Sequence, residues 1–264
     1  MVGSDAREGQ GDAAGRWLDL AIDRHTAAFT SSEFLKAVRA LSIRYVEQRQ
    51  SLSGRSAMDS AGKRAAFGGF YALLHFLTVR TILRQLDPGT LSVDRIVDLG
   101  AGTGVAGAAW SLAVKSRPTI EAIDRDRWAL DEARWNWKQL GLRGTARQGD
   151  LVRIVADELA TPARGETIGV MCAWSINELT TPQRATLLSH VSALAERGAK
   201  VLIVEPLARS ATPWWADWTL ALAPFGARVD EWKWTAELPD RLARMDEAAG
   251  FRREMLGART LWIQ

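Results

Sequence analysis

The sequence predicts an α/β fold: a Rossmann-like, seven-stranded sheet, mostly parallel with its last strand antiparallel, behind a helical N-terminal subdomain. Three observations predict it. From residue 92 onward, short apolar runs alternate with stretches of helical period. The first apolar run leads into VDLGAGTG, residues 97–104, where glycines follow closely on an acid. Before residue 90 the apolar residues recur at helical intervals.

Residues 1–16 are polar and rich in glycine and alanine, which predicts a flexible tail. WLDLAIDRHTAAF and SSEFLKAVRALSIRYVEQ then read as helices, the second with Ser32 as its N-cap. SLSGRSAMDS, residues 51–60, is a polar link. AGKRAAFGGFYALLHFLTVRTILRQL reads as a long apolar helix closed by DPG at 87–89, completing a helical subdomain over 17–90. A second region over 91–264 alternates strands and helices. RIVDLG, TIEAID, GTARQGD, TIGVMCAW and KVLIVEP are the first five strands. Helices are expected between them, including one at about 151–160. An insertion is expected at about 207–237. After it, DRLARMDEAAG is a helix, and FRREMLG and RTLWIQ are a final pair of strands.

The 264 residues are 47% apolar, enough for one large domain with an appendage. Charges interrupt every long apolar stretch and the N-terminus lacks the apolar core of a secretory signal, so neither a membrane span nor export is expected. Cys172 is the sole cysteine, which excludes an intrachain disulfide and makes the cytoplasm the default location. His25, His75 and His190 lie far apart without metal-ligand spacing, and no metal is expected. The formal charge of +3 with a pI near 9.3 is compatible with a nucleic-acid partner without requiring one.

The glycine loop sits where open α/β sheets bind ligands, outside the carboxyl end of the first strand. Gly100, Gly102 and Gly104 allow a tight turn and close approach to a ligand. Asp98, two residues before Gly100, would repel a phosphate and attract a cation. Asp124 ends the second strand, where a carboxylate accepts ribose hydroxyls. Gln148-Gly149-Asp150 ends the third, where Asp150 either meets an adenine or caps the next helix. These features suit S-adenosylmethionine, which carries a sulfonium and an ammonium group and no phosphate. Gly102, Gly104 and Gly107 also satisfy the G-x-G-x-x-G spacing of a dinucleotide site, which keeps NAD(P) as the rival.

Residues 95–206 resemble the class I S-adenosylmethionine-dependent methyltransferases, with VDLGAGTG as the first motif, IDRD around Asp124 as the ribose motif and QGDL as the adenine-side motif. The resemblance implies S-adenosylmethionine as cofactor and S-adenosylhomocysteine as product. It places Gly100, Ala101, Gly102, Thr103 and Gly104 beside the methionine moiety, and Asp98 at its amino group. Asp124 falls on the ribose, Arg125 beside the adenine, Asp150 and Leu151 along the base, and Trp174 with the cofactor-binding residues. The stretch AAFGGFYALLHFLTVRTIL together with VLIVEP is also similar to the ribosomal small-subunit methyltransferase-like family, but the iron–sulfur cysteines of that family are absent.

The acceptor is less defined. CAWSINEL, residues 172–179, lacks the Asn/Asp-Pro-Pro-aromatic sequence of many amine methylases. Asn177 and Glu178 are the catalytic candidates, Asn177 as a hydrogen-bond acceptor and Glu178 as a base or a helix cap. Cys172 reads as core. Trp214 and Trp215, with Trp218, either stack on a flat acceptor or dock an amphipathic helix. Tyr71 and His75 share a helical face and are candidate acceptor-binding residues, as Arg80 and Arg84 share another. The expected function is methyl transfer to N or O, on RNA or a ribosomal component or on a small planar metabolite. The alternative is an inactive S-adenosylmethionine-binding assembly or regulatory protein.

Overall fold

The computed structural model describes residues 5–47, 58–153 and 165–264. Helices α1 (Asp5–Thr26), α2 (Ser31–Glu47) and α3 (Ala61–Ala66) lead through a π turn (Phe67–Tyr71) into α4 (Ala72–Gln85). Next come β1 (Arg95–Leu99), α5 (Val105–Ala113), β2 (Thr119–Asp124), α6 (Arg127–Leu140), β3 (Gly144–Gln148) and β4 (Ile168–Ala173). The chain continues through α7 (Thr181–Glu196), β5 (Lys200–Glu205), α8 (Trp215–Leu222), β6 (Arg228–Thr235), α9 (Asp240–Ala248) and β7 (Met255–Ile263). The helix expected at 151–160 is helical at 151–153, and its remainder lies outside the described residues.

The strands form one seven-stranded sheet in the order β3-β2-β1-β4-β5-β7-β6, with β7 antiparallel to β5 and β6. β1 pairs in parallel with both β2 and β4, so strand order reverses there and the carboxyl ends of β1 and β4 flank a crevice. Alternation along the strands supplies two cores. Ile96, Ile120, Met171 and Leu202 pack with α4, α5 and α6 on one face. Val97, Leu99, Val170 and Ile203 pack with α7 and α8 on the other. Both faces are covered, as a parallel sheet requires.

The sequence and the structure differ in the N-terminal tail, in the last two strands and in the cap of α2, where Thr30 Oγ1 rather than Ser32 accepts from Glu33 N at 3.3 Å. α1 begins at Asp5, so helix replaces most of the tail expected over 1–16, and Ala14 is buried. FRREMLG and RTLWIQ are not two strands: β7 runs unbroken through Gly257. A Cβ there would stand 2.5 Å from the Trp232 carbonyl oxygen, so this glycine marks close strand contact rather than a turn. The seventh strand is instead β6, inside the expected insertion, where RVDEWKWT alternates in exposure. The continuous helical run Ala61–Gln85 has the length and mean hydropathy (1.4) of a membrane span, yet 83% of its apolar window is buried within the fold.

The N-terminal helices share the sheet's core. Trp17 of α1 donates to Asn136 Oδ1 at 2.9 Å, and Asn136 Nδ2 donates to the Thr103 carbonyl at 2.9 Å. Trp137 Nε1 reaches the Gly104 carbonyl at 2.9 Å. These bonds hold the glycine loop from behind. The π turn packs closely on His25: a Cβ on Gly68 would lie 2.3 Å from His25 Nε2.

Candidate functional site

A cavity of about 540 Å³ opens at the carboxyl ends of β1, β2 and β4. Its floor is the glycine loop. Gly100, Gly102 and Gly104 have φ of 70°, 52° and 69°, a backbone that other L-residues rarely adopt. Gly100 also makes room for Ser175, whose Cβ would be 2.4 Å from a Cβ at position 100. Asp124 braces the loop: its Oδ2 accepts from Gly102 N at 2.7 Å and its Oδ1 from Asp126 N at 2.8 Å. Burial pushes the Asp124 carboxyl up, and those two N–H groups partly offset the rise.

Asp98 is 1% exposed beneath the loop. Its Oδ2 accepts from Gly107 N at 2.9 Å, and its Oδ1 has no partner. Burial raises its carboxyl to about 7, against the Gly107 hydrogen bond, and the charge of Asp124 adds to the rise. A Cβ at Gly107 would lie 2.8 Å from Asp98 Oδ2. The third glycine of the dinucleotide spacing is therefore explained by contact with a carboxylate, which disfavours a phosphate-bearing cofactor. Thr103 Oγ1 and Ser175 Oγ, in residues 1% and 7% exposed, also lack partners.

At the cavity's side, Trp174 follows β4 with φ of 55°, a strained conformation for a bulky residue. Its ring stacks on His75 at a centroid distance of 4.0 Å and an interplanar angle of 12°. Phe67 meets His75 edge-on at 5.9 Å. Burial lowers the His75 pKa to about 4, so the imidazole is neutral at pH 7. Glu178 lines the cavity and keeps accessible surface there. Desolvation within the cavity wall raises its carboxyl to about 7, Asp124 adds to the rise, and Arg125 opposes it.

Of the residues singled out in the sequence, Gly100, Ala101, Gly102, Thr103, Asp124, Arg125, Leu151, Trp174, His75 and Glu178 line this cavity. Others do not. Asp150 caps the next helical turn, its Oδ1 accepting from Val152 N at 2.9 Å, and Gly149 takes its place in the wall. Asn177 stands off the cavity wall with its Nδ2 bound to Glu205 Oε2, while its Oδ1, the acceptor atom, has no partner. Tyr71 is core: its hydroxyl donates to the Val38 carbonyl at 3.0 Å. Trp214 and Trp215 pack on one another and on Trp218 in the core beneath α7, in the amphipathic-helix arrangement and away from the cavity. Arg80 and Arg84 also lie off the cavity wall. Cys172 is buried with its thiol pushed up by desolvation, as expected of a core residue. Ser175, one of the polar groups that the sequence offers with Asn177 and Glu178 at the end of the fourth strand, lines the cavity, and so do Met58, Arg64, Phe67 and Trp128. Phe67 opens the π turn, Arg64 lies on α3 and Trp128 on α6, so three separate elements bring them together. Among the described residues no group of His, Cys, Asp and Glu has the arrangement of a metal site.

Residues 78–160 match the model of the methyltransferase small domain. A comparison with curated proteins finds no match. Among solved structures, the mitomycin 7-O-methyltransferase is similar with a TM-score of 0.51 and 16% identity, covering 93% of this chain and 71% of that one. An O-methyltransferase family protein from Burkholderia thailandensis is similar with a TM-score of 0.50 and 15% identity, covering 82% of this chain and 62% of that one. The likeness to these solved methyltransferases is one of fold, and the family match is confined to residues 78–160.

Proposed function

We propose that the cavity binds S-adenosylmethionine on the glycine loop and directs methyl transfer to the nitrogen or oxygen of a small planar acceptor. Two regions would share the work, the helical 17–90 covering the site and 91–264 forming it. The observation that supports this most strongly is the set of acids at one crevice. Asp98 and Glu178 are both held near 7 and Asp124 is also raised. Each gains from a positively charged ligand. The unpartnered Asp98 Oδ1 fits the cofactor's cationic arm.

When bound, S-adenosylmethionine supplies an electrophilic methyl group on a positively charged sulfur. Asp124 is the acceptor for the ribose hydroxyls, each of its oxygens retaining a lone pair beside its backbone bond. Arg125, Gly149 and Leu151 border the adenosine. Glu178 takes the proton from the attacking O–H or N–H, and its raised pKa suits a base working near neutrality. His75, neutral and stacked on Trp174, offers its ring nitrogens to the acceptor, and the aromatic wall of Phe67, His75 and Trp174 favours a flat molecule.

Two measurements test the reading. Titration calorimetry with S-adenosylmethionine is expected to give one-to-one binding that Asp124→Ala weakens. Tritiated-methyl labelling of fractionated lysate is expected to place label in the small-molecule fraction. Label in RNA would replace the acceptor class, and binding without labelling would favour an inactive cofactor-binding protein.

A further inference from the structure

β6 ends the sheet on one side, and among the described residues no strand pairs with its outer edge. Its register with β7 is unbroken from Arg228 to Thr235, with neither a bulge nor a proline to blunt it. Open edges ordinarily carry such devices, because an unpaired strand is a template for another chain. The antiparallel ladder fixes which backbone groups point outward. Ala236 N donates to the Glu254 carbonyl at 2.9 Å, so the even-numbered residues of β6 bond to β7. The N–H and carbonyl groups of Val229, Glu231 and Lys233 therefore face away from the sheet. The side chains of Val229, Glu231, Lys233 and Thr235 are exposed, while Asp230, Trp232 and Trp234 are half-buried. Charges are the protection this edge retains, and their order admits one partner.

A two-fold axis normal to the sheet sets an edge strand antiparallel to its own copy. Facing residues then lie equally far from the axis along the strand. With the axis at Trp232, Glu231 of each chain faces Lys233 of the other, and Val229 faces Thr235. With the axis at Asp230, Glu231 or Lys233, like charges meet on it. Registers centred nearer either end of β6 pair fewer residues. Opposite charges directly across strands stabilise a pair and like charges oppose it. Glu231 and Lys233 both present outward backbone groups, so they meet as a hydrogen-bonded pair. Lys233 is exposed, and Glu231 keeps 50% of its side-chain surface although Arg259 Nη2 stands 3.1 Å away. Trp232 meets its copy on the axis, with its indole drawn toward β7 by the 2.9 Å bond from Nε1 to Thr260 Oγ1. We propose that β6 is a dimer interface: two copies of this chain join edge to edge into one continuous sheet, with Glu231 and Lys233 as reciprocal cross-strand pairs. β5 and β7 stand between β6 and β4, so the inference is independent of what the cavity binds.

Charge reversal tests the pairing, because each variant has a defined complement. Sedimentation of the full-length protein at about 100 μM and low salt is expected to show a dimer of the 29.0 kDa chain. Lys233→Glu sets carboxylates against each other across the axis, and Glu231→Lys does the same with ammonium groups. Each is expected to weaken dimerisation about tenfold or more. Mixing the two variants is expected to restore a one-to-one heterodimer, since every carboxylate at these positions then faces an ammonium group. Damage within one chain could not produce that recovery. Hydrogen exchange gives a second readout that does not depend on Glu231→Lys folding. The amides of Glu231 and Lys233 are expected to be protected in the wild-type dimer, and the Glu231 amide to exchange freely in the Lys233→Glu monomer. A wild-type monomer at that concentration, a dimer that survives both reversals, or free exchange of these amides within the dimer would overturn the proposal. Assembly beyond a dimer would overturn it as well, because that is what head-to-tail pairing of β6 with the opposite edge strand β3 would give.

Discussion

Asp98 shows how a single side chain carries function at the expense of stability. Its ordinary pKa is 3.8, and burial raises it to about 7 in the folded protein. Between those two values the folded state holds more protons than the unfolded state, so stability falls as pH rises through that window. Above about 7 the full cost is present, on the order of a few kcal/mol. Asp98→Asn removes the charge and keeps an oxygen for the Gly107 N–H. The variant is expected to raise the thermal midpoint of the unliganded protein at pH 8 and hardly at all near pH 4, while weakening S-adenosylmethionine binding at pH 8. Thermal unfolding at the two pH values checks the first part and calorimetry the second; an equal shift at both pH values would contradict the assignment. This residue was legible in the sequence because strand end, acid and glycines are neighbours in the chain. Tyr71 was misleading for the opposite reason. Four-residue spacing relates Tyr71 to His75 along the helix but does not say what covers each of them, and α2 lies beside Tyr71. His75 reaches the cavity and Tyr71 is tied to Val38.

The π turn belongs to a larger arrangement of elements, and Glu132 is its anchor. Arg24 and His25 of α1 meet Glu132 of α6 at 2.9 and 3.3 Å, and the same His25 presses on Gly68. Burial alone would raise the Glu132 carboxyl, but its bonds to His25 and Arg24 prevail and hold it at about 2, below its ordinary 4.5. A depressed acid contributes stability above its unfolded pKa that is lost as pH falls from 4.5 toward 2. The contribution at neutral pH is on the order of 3 kcal/mol. Glu132→Gln is expected to lower the urea midpoint at pH 7, with the difference from wild type shrinking near pH 2. A constant difference across that range would show that packing, not the ion pairs, holds α1 to α6. The alternation of strand and helix from residue 92 to 206 was legible because each element repeats its own period. The seventh strand was not. β6 has one weakly covered face and lies next to β7 only through a long return, so its alternation resembles a surface loop until the pairing of Trp232 with Ala258 is seen.

At the scale of the molecule, the acids of the cavity run against the chain's formal charge of +3. Asp98 and Glu178 titrate near neutrality, and Asp124 is raised beside them. A positively charged ligand favours the ionised form of each, so it lowers their pKa values on binding. By linkage, binding releases protons where those groups are partly protonated, and affinity weakens as pH falls below about 7. Calorimetry at pH 6.5 in buffers of different ionisation enthalpy is expected to register this release with S-adenosylmethionine. Glu178→Gln removes one of the two groups that titrate in this range and should reduce the release without abolishing binding. If Glu178 also takes the acceptor's proton, the same variant should flatten the rise of kcat/KM through pH 7 and lower its plateau by about 10²- to 10⁴-fold. Unchanged proton release in Glu178→Gln would remove this carboxyl from the cofactor's surroundings, and an unchanged pH–rate profile would remove it from the chemistry. The two results are independent, so Glu178 can be assigned to either role separately.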